Sequence, residues 1–143
     1  MSDDPHRLRH LRGCHPELKY RVKALVDALE HEGLDIILTQ GVRSVAQQQA
    51  IYAQGRTKPG KIVTNCDGIV KVSNHQPKSD GYGYAVDVAW RTTGGAITWT
   101  GPWDRLGTLA EAQGLVWGGR WVSFPDRPHL ELPRSLVPTA KNG

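Results

Sequence analysis

The sequence predicts an α+β fold, a small antiparallel sheet with about three helices. Three observations point there. Leu18, Val22, Leu25, Val26 and Leu29 form one apolar stripe at helical spacing. Ala85 to Trp90 alternates with period two, as a strand with distinct faces does. The remaining elements run helix, strand, helix and then strands with one more helix, which is not the βαβ order of a parallel sheet. At 143 residues the chain suits one domain with a core that needs no disulfide. We read residues 1–132 as that domain and 133–143 as a polar tail.

The first helix spans Pro16 to Glu32, with Pro16 tolerated in the first turn and Gly33 as its stop. Leu34 to Gln40 is apolar and β-branched, a buried strand. Ser44 and Gln47 have capping-box spacing and open a short helix that ends at Gly55. Arg56 to Tyr84 is rich in Gly, Pro, Asn, Asp, Ser and Lys and reads as a long loop, a length usually reserved for function or disorder. In the strand that follows, Val86, Val88 and Trp90 face one side, and Ala85, Asp87 and Ala89 the other. Gly94-Gly95 turns the chain into a strand at Ala96 to Thr100, and a helix follows from Trp103 to Gln113. The last strand is Pro128 to Leu132, with His129 and Glu131 on one face and Leu130 and Leu132 on the other.

Composition narrows the class without choosing a function. A hydrophobic fraction of 38% and a charged fraction of 22% are ordinary for a globular protein. Five Trp and four Tyr against one Phe suit a surface that handles sugars or peptides, although half-buried packing accounts for most of them. The net charge is +4, with Arg7, Arg9, Arg12, Lys19, Arg21 and Lys23 early in the chain. Nucleic acid, an anionic membrane and the bacterial wall all attract such a face, and a solvated helix surface is the plain alternative. Cys14 and Cys66 lack CxxC spacing, so two reduced thiols are expected and a zinc ribbon is excluded. No apolar run reaches the roughly 18 residues of a membrane span. The opening residues have no apolar h-region, so synthesis in the cytoplasm without a secretory signal is expected.

Metal-ligand types lie on the strand faces opposite the apolar side chains. Asp87 sits between the small Ala85 and Ala89, and His129 sits beside Glu131. A buried carboxylate among small residues is costly unless it is paired or coordinated. His75 lies in the loop shortly before Asp87. Two His and one Asp form a set that a catalytic zinc accepts, leaving a fourth position open. His6 and His10 have i, i+4 spacing near Cys14 and His15, but they sit in an Arg-rich segment that repels cations; they read as solvent-facing or capping residues. The approach to His129 is Phe124-Pro125-Asp126-Arg127-Pro128, in which two prolines fix the backbone. Extended, this segment would hold Asp126 about 10 Å from His129. A turn brings its carboxylate within general-base reach of a metal site; an Asx-stabilised turn is the plain alternative.

Taken in order, these segments resemble the L-alanyl-D-glutamate endopeptidases, within the wider group of VanY-like D,D-carboxypeptidases and many phage endolysins. The resemblance runs from Leu8 to Leu132. It rests on Leu11-Arg12-Gly13-Cys14-His15-Pro16, Gln40-Gly41-Val42-Arg43-Ser44, Ser73-Asn74-His75, Gly83-Tyr84-Ala85-Val86-Asp87, Gly114-Leu115-Val116-Trp117-Gly118-Gly119 and Asp126-Arg127-Pro128-His129. It implies a Hedgehog/D,D-peptidase-like zinc peptidase fold. It also implies one zinc ion on His75, Asp87 and His129, with Asp126 as catalytic base and Arg43 near the scissile carbonyl or its oxyanion. An Arg that only caps the turn before the second helix is the alternative for Arg43. Ser73 would contact substrate or orient its loop, and Glu131 would brace a ligand.

The sequence departs from that group in one place. Gln76-Pro77-Lys78-Ser79-Asp80-Gly81-Tyr82 lengthens the segment between the ligand His and Asp87, which leaves the shape of the cleft rim open and Asp80 as a competing ligand to Asp87, whose strand position and small neighbours favour it. The implied activity is zinc-dependent cleavage of the L-Ala–D-Glu bond in the peptidoglycan stem peptide by a monomer that needs no nucleic acid, in the manner of a phage endolysin released through a holin. A D,D-carboxypeptidase with the same zinc site, or a non-catalytic zinc-containing wall-binding module, is the alternative.

Overall fold

The computed structural model describes residues 8–69 and 71–138. Helix α1 spans Pro16–His31, and its first turn is capped by His15, whose Nδ1 accepts the Glu17 N–H at 3.0 Å. His15 is therefore a capping residue, as expected; His6 lies outside the described residues. Strand β1 is Ile36–Gln40, and α2 is Val45–Ala53. The Ser44–Gln47 capping box is complete, with both reciprocal hydrogen bonds made. Strands β2 and β3 cover Ala85–Arg91 and Ile97–Thr98, and α3 covers Trp103–Ala112. Val116–Trp117 forms β4, and His129–Glu131 forms β5.

The sheet is antiparallel, in the order β1-β2-β5-β4, with β3 paired to the far end of β2. Its core face carries Ile36, Leu38, Val86, Val88, Trp90, Leu130 and Leu132, packed with the buried stripe of α1 and with Trp103, Leu106 and Ala110 of α3. The two helices also touch each other. This is the expected α+β architecture of three helices and a small sheet. Two strands differ from expectation. The strand foreseen at Ala96 to Thr100 pairs over two residues only, and β4 is too short for its periodicity to be read. The described residues between 54 and 84 add no strand to this sheet. Among the described residues no helix is long and apolar enough to cross a membrane.

Trp117 ties α3 to the turn before β5. Its indole N–H donates to the Arg127 carbonyl at 2.8 Å, and a Cβ placed on Gly107 of α3 would lie 2.2 Å from its ring. Ala is intrinsically the better helix former by about 1 kcal/mol, yet overpacking a filled core costs about 1–3 kcal/mol. Packing wins here. We expect Gly107→Ala to lower stability by about 1–2 kcal/mol in urea denaturation; a stabilised variant would contradict the contact.

Candidate metal and catalytic centre

Strand register builds the site. Asp87 of β2 lies directly opposite His129 of β5, so the two side chains leave the same face as cross-strand neighbours. That face is the one turned away from α1 and α3. On the other flank, pairing of β1 with β2 slips between Leu38 and Gln40, so that Gln40 and not Thr39 comes opposite Asp87. Such irregularities re-aim side chains beside sites. The loop then delivers His75, whose carbonyl accepts the Arg43 N–H at 2.8 Å.

His75 Nε2 and His129 Nδ1 each stand 3.4 Å from Asp87 Oδ1, and the three donors all lie within 4.8 Å of one another. His75 Nε2 and Asp87 Oδ1 are buried and without a hydrogen-bond partner. Each His uses its other ring nitrogen elsewhere. His75 Nδ1 donates to the Gly41 carbonyl at 2.9 Å, and His129 Nε2 meets Glu131 Oε1 at 2.7 Å. These contacts leave the inward nitrogens as acceptors, the second-sphere arrangement of metal-binding His. For bonds of about 2.0–2.1 Å, neighbouring ligands around a tetrahedral zinc stand roughly 3.3–3.4 Å apart. The donors fit a zinc ion on both spacing and chemistry.

The charges of the cluster are coupled to one another. Burial disfavours the Asp87 carboxylate, but the facing His129 and His75 outweigh it and hold the carboxyl well below the usual range. Burial likewise opposes charge on His129, yet Asp87 and Glu131 push its pKa up to about 9. Burial, reinforced by the nearby Asp87 charge, raises the pKa of Asp126 above the ordinary carboxylate value.

Asp126 reaches the cluster by the turn that its prolines suggested. The His129 N–H donates to the Asp126 carbonyl at 3.1 Å, and Asp126 Oδ2 comes within 4.0 Å of His129 Nδ1. Gly118 allows this turn to pack, since a Cβ there would lie 2.4 Å from the Asp126 carbonyl oxygen. Arg43 is almost fully buried and lines the same cleft. It donates to Gln48 Oε1 at 2.7 Å and Gln40 Oε1 at 2.8 Å, and stands 3.4 Å from Asp87 Oδ2. Ser73 Oγ accepts the His75 N–H at 3.1 Å, which orients that loop.

Asp80 is not near the donors. It accepts from the Tyr84 hydroxyl and the Tyr82 N–H, and none of residues 76–82 lines the cleft. The insert folds on itself through Lys78 and Tyr82, while the adjoining Gly83 pairs with Gly13. The insert does not line the cleft but touches it at Ser73, whose carbonyl accepts from Lys78 Nζ at 3.2 Å, and Asp80 is not among the clustered donors. Sequence reasoning missed Gln48. It is fully buried, and its amide also donates to the Cys66 carbonyl at 2.8 Å, tying Arg43 to the opposite cleft wall. Only its position on the inner side of α2 hinted at this. The whole cleft encloses about 620 Å³, with Trp121 tilted over His129 at 4.9 Å between ring centres.

Residues 68–132 match the peptidase M15 family described as D-alanyl-D-alanine carboxypeptidase. The chain is 36% identical over 128 residues to the peptidoglycan L-alanyl-D-glutamate endopeptidase CwlK of Bacillus subtilis (strain 168), covering 82% of this chain and 72% of that one. It resembles the L-Ala D-Glu endopeptidase ChiX of Serratia marcescens with a TM-score of 0.62 at 21% identity, over 90% of this chain and 86% of that one. It also resembles the vancomycin resistance D,D-pentapeptidase VanY in complex with Zn(II), with a TM-score of 0.58 at 17% identity, over 83% and 72% of the two chains. At those identities the structural likeness is one of fold.

The two thiols are free and differently placed. Cys14 is fully buried, and burial pushes its pKa up to about 11, whereas Cys66 is half-buried in the cleft wall. Alkylation of the native protein at pH about 8 should label Cys66 alone, with Cys14 reacting only after unfolding. Mass spectrometry reads this directly, and a native adduct on Cys14 would contradict the packing.

Proposed function

This chain belongs to the M15 family of metallopeptidases, and we propose that it is a zinc-dependent peptidoglycan hydrolase cutting the L-Ala–D-Glu bond of the stem peptide. What carries the reading is an open set of three donors with a second carboxylate, Asp126, beside it. A structural zinc site normally closes with four protein ligands. Here the three donors line an open cleft, and Asp126 lines it with them.

His75, Asp87 and His129 would hold the ion. Once bound, zinc supplies a Lewis acid that polarises a carbonyl and lowers the pKa of water. Asp126 takes a proton from the attacking water and returns it to the leaving amine. Its raised proton affinity suits a group that must act first as base and then as acid. Arg43 offers fixed donors to the carbonyl oxygen as negative charge develops there, and Gln40 and Gln48 keep its guanidinium in place. Ser73 holds the His75 loop at the substrate's edge, and Glu131 braces His129. The net charge of +4 suits an anionic wall, reached as a phage endolysin or as a bacterial remodelling enzyme.

A D,D-carboxypeptidase is the second reading, favoured by the description of the family that residues 68–132 match. Digestion of purified sacculi separates the two. Cleavage at L-Ala–D-Glu exposes new D-Glu amino ends and leaves L-Ala on the glycan, which amino-terminal labelling and mass spectrometry identify. Free D-Ala as the main product, with no new D-Glu ends, would move the protein to the second reading. In the same assay Asp126→Asn should lose about 10²–10⁴-fold in turnover, the usual scale of general-base catalysis. A variant that kept wild-type turnover would remove Asp126 from the mechanism.

A further inference from the structure

Directly after β5, residues 133–137 turn beside the cleft. Pro133 fixes φ at −57°, and Arg134–Leu136 form a 3-10 turn closed by the Leu136 N–H on the Pro133 carbonyl at 2.9 Å. Val137 then packs against the core. This anchored turn holds Arg134 in the lining of the cleft, together with His75, Asp87, Asp126 and His129. Its side chain is exposed and makes no hydrogen bond or ion pair with the described residues. Arg43, the other cleft arginine, is committed to Gln40, Gln48 and Asp87.

The rest of the lining is rich in acid. Asp87, Asp126 and Glu131 all face the cleft. A D-glutamyl residue in a peptide uses one of its two carboxyls in the chain and leaves the other free, close to the scissile bond. Those acids already engage the cations beside them, Asp87 with Arg43 and Glu131 with His129, so the free carboxylate needs a further one. We propose that Arg134 binds the free carboxylate of the D-glutamyl residue, and so makes the enzyme prefer a stem peptide with a free carboxylate to one with a carboxamide. This rests on the endopeptidase reading. The planar guanidinium can take a carboxylate through two parallel hydrogen bonds, which a carboxamide cannot reproduce.

The test uses zinc-loaded full-length protein and two pairs of synthetic peptides, each pair differing only in carboxylate or carboxamide at that position. One pair begins at D-Glu and is followed by calorimetric binding; the other contains the L-Ala–D-Glu bond and is followed by cleavage. Wild type should bind the acid form about tenfold more tightly than the amide form. Arg134→Gln should bring that ratio to about one, with the cleavage loss read in KM rather than kcat, and Arg134→Lys should keep part of the preference. An unchanged ratio in Arg134→Gln, or no preference in wild type, overturns the proposal, and cleavage at L-Ala–D-Glu would then stand by itself. Acid-selective binding lost in Arg134→Gln but without cleavage at that bond would support Arg134 and remove the bond assignment. Neither binding nor cleavage would overturn both.

Discussion

The site depends on one pairing, Asp87 of β2 opposite His129 of β5. A shift of one residue would send both side chains into the apolar core, because side chains alternate along a strand. Val86, Val88, Leu130 and Leu132 prevent that shift, since all four are fully buried on the other face. Hydrophobic packing thus sets the position of Asp87 and His129, and the same burial that drives folding aims both side chains into the cleft. His75 and Asp126 come from irregular segments, but each is tied to this pair by backbone hydrogen bonds, through Arg43 and through His129.

Burying such a cluster is unfavourable by itself. An unpaired charge removed from water costs several kcal/mol, and a buried pair repays it only when its remaining hydrogen bonds are made. Most of them are made here. Glu131 takes the outer nitrogen of His129, the Gly41 carbonyl takes that of His75, and Arg43 stands beside Asp87. Two of the acceptors left without a hydrogen-bond partner, His75 Nε2 and Asp87 Oδ1, lie side by side in the cluster. A cation between them would satisfy both. Small residues serve the same end at a distance: Gly118 lets the Asp126 turn close, and Gly107 admits the Trp117 indole that holds Arg127.

Much of this was legible in the sequence, for definite reasons. Helix α1, the Ser44 capping box and the alternation of β2 are local patterns, and the structure keeps them within a residue or two. Asp87 between two alanines and His129 beside Glu131 could be read because strand periodicity assigns faces. The slip between Leu38 and Gln40, the pairing of β4 and the bridge through Gln48 could not, since each depends on contacts between residues distant in the chain. The place of segment 76–82 was left open for the same reason. Its contacts run to Ser73, to Tyr84 and, through the adjoining Gly83, to Gly13, which no local pattern reveals. Arg134 fell in a stretch whose composition reads as tail, and only the packing of Val137 brings it to the cleft.

The central claim is that His75, Asp87 and His129 form a zinc site while Asp126 stands beside it without holding the ion. Metal analysis of protein purified without chelators tests it most directly, on wild type, Asp87→Asn and Asp126→Asn in parallel. The account predicts one zinc per chain in wild type and in Asp126→Asn, with zinc largely lost from Asp87→Asn because a neutral amide is a poor ligand. Wild type without zinc, or zinc kept by Asp87→Asn and lost from Asp126→Asn, would contradict it.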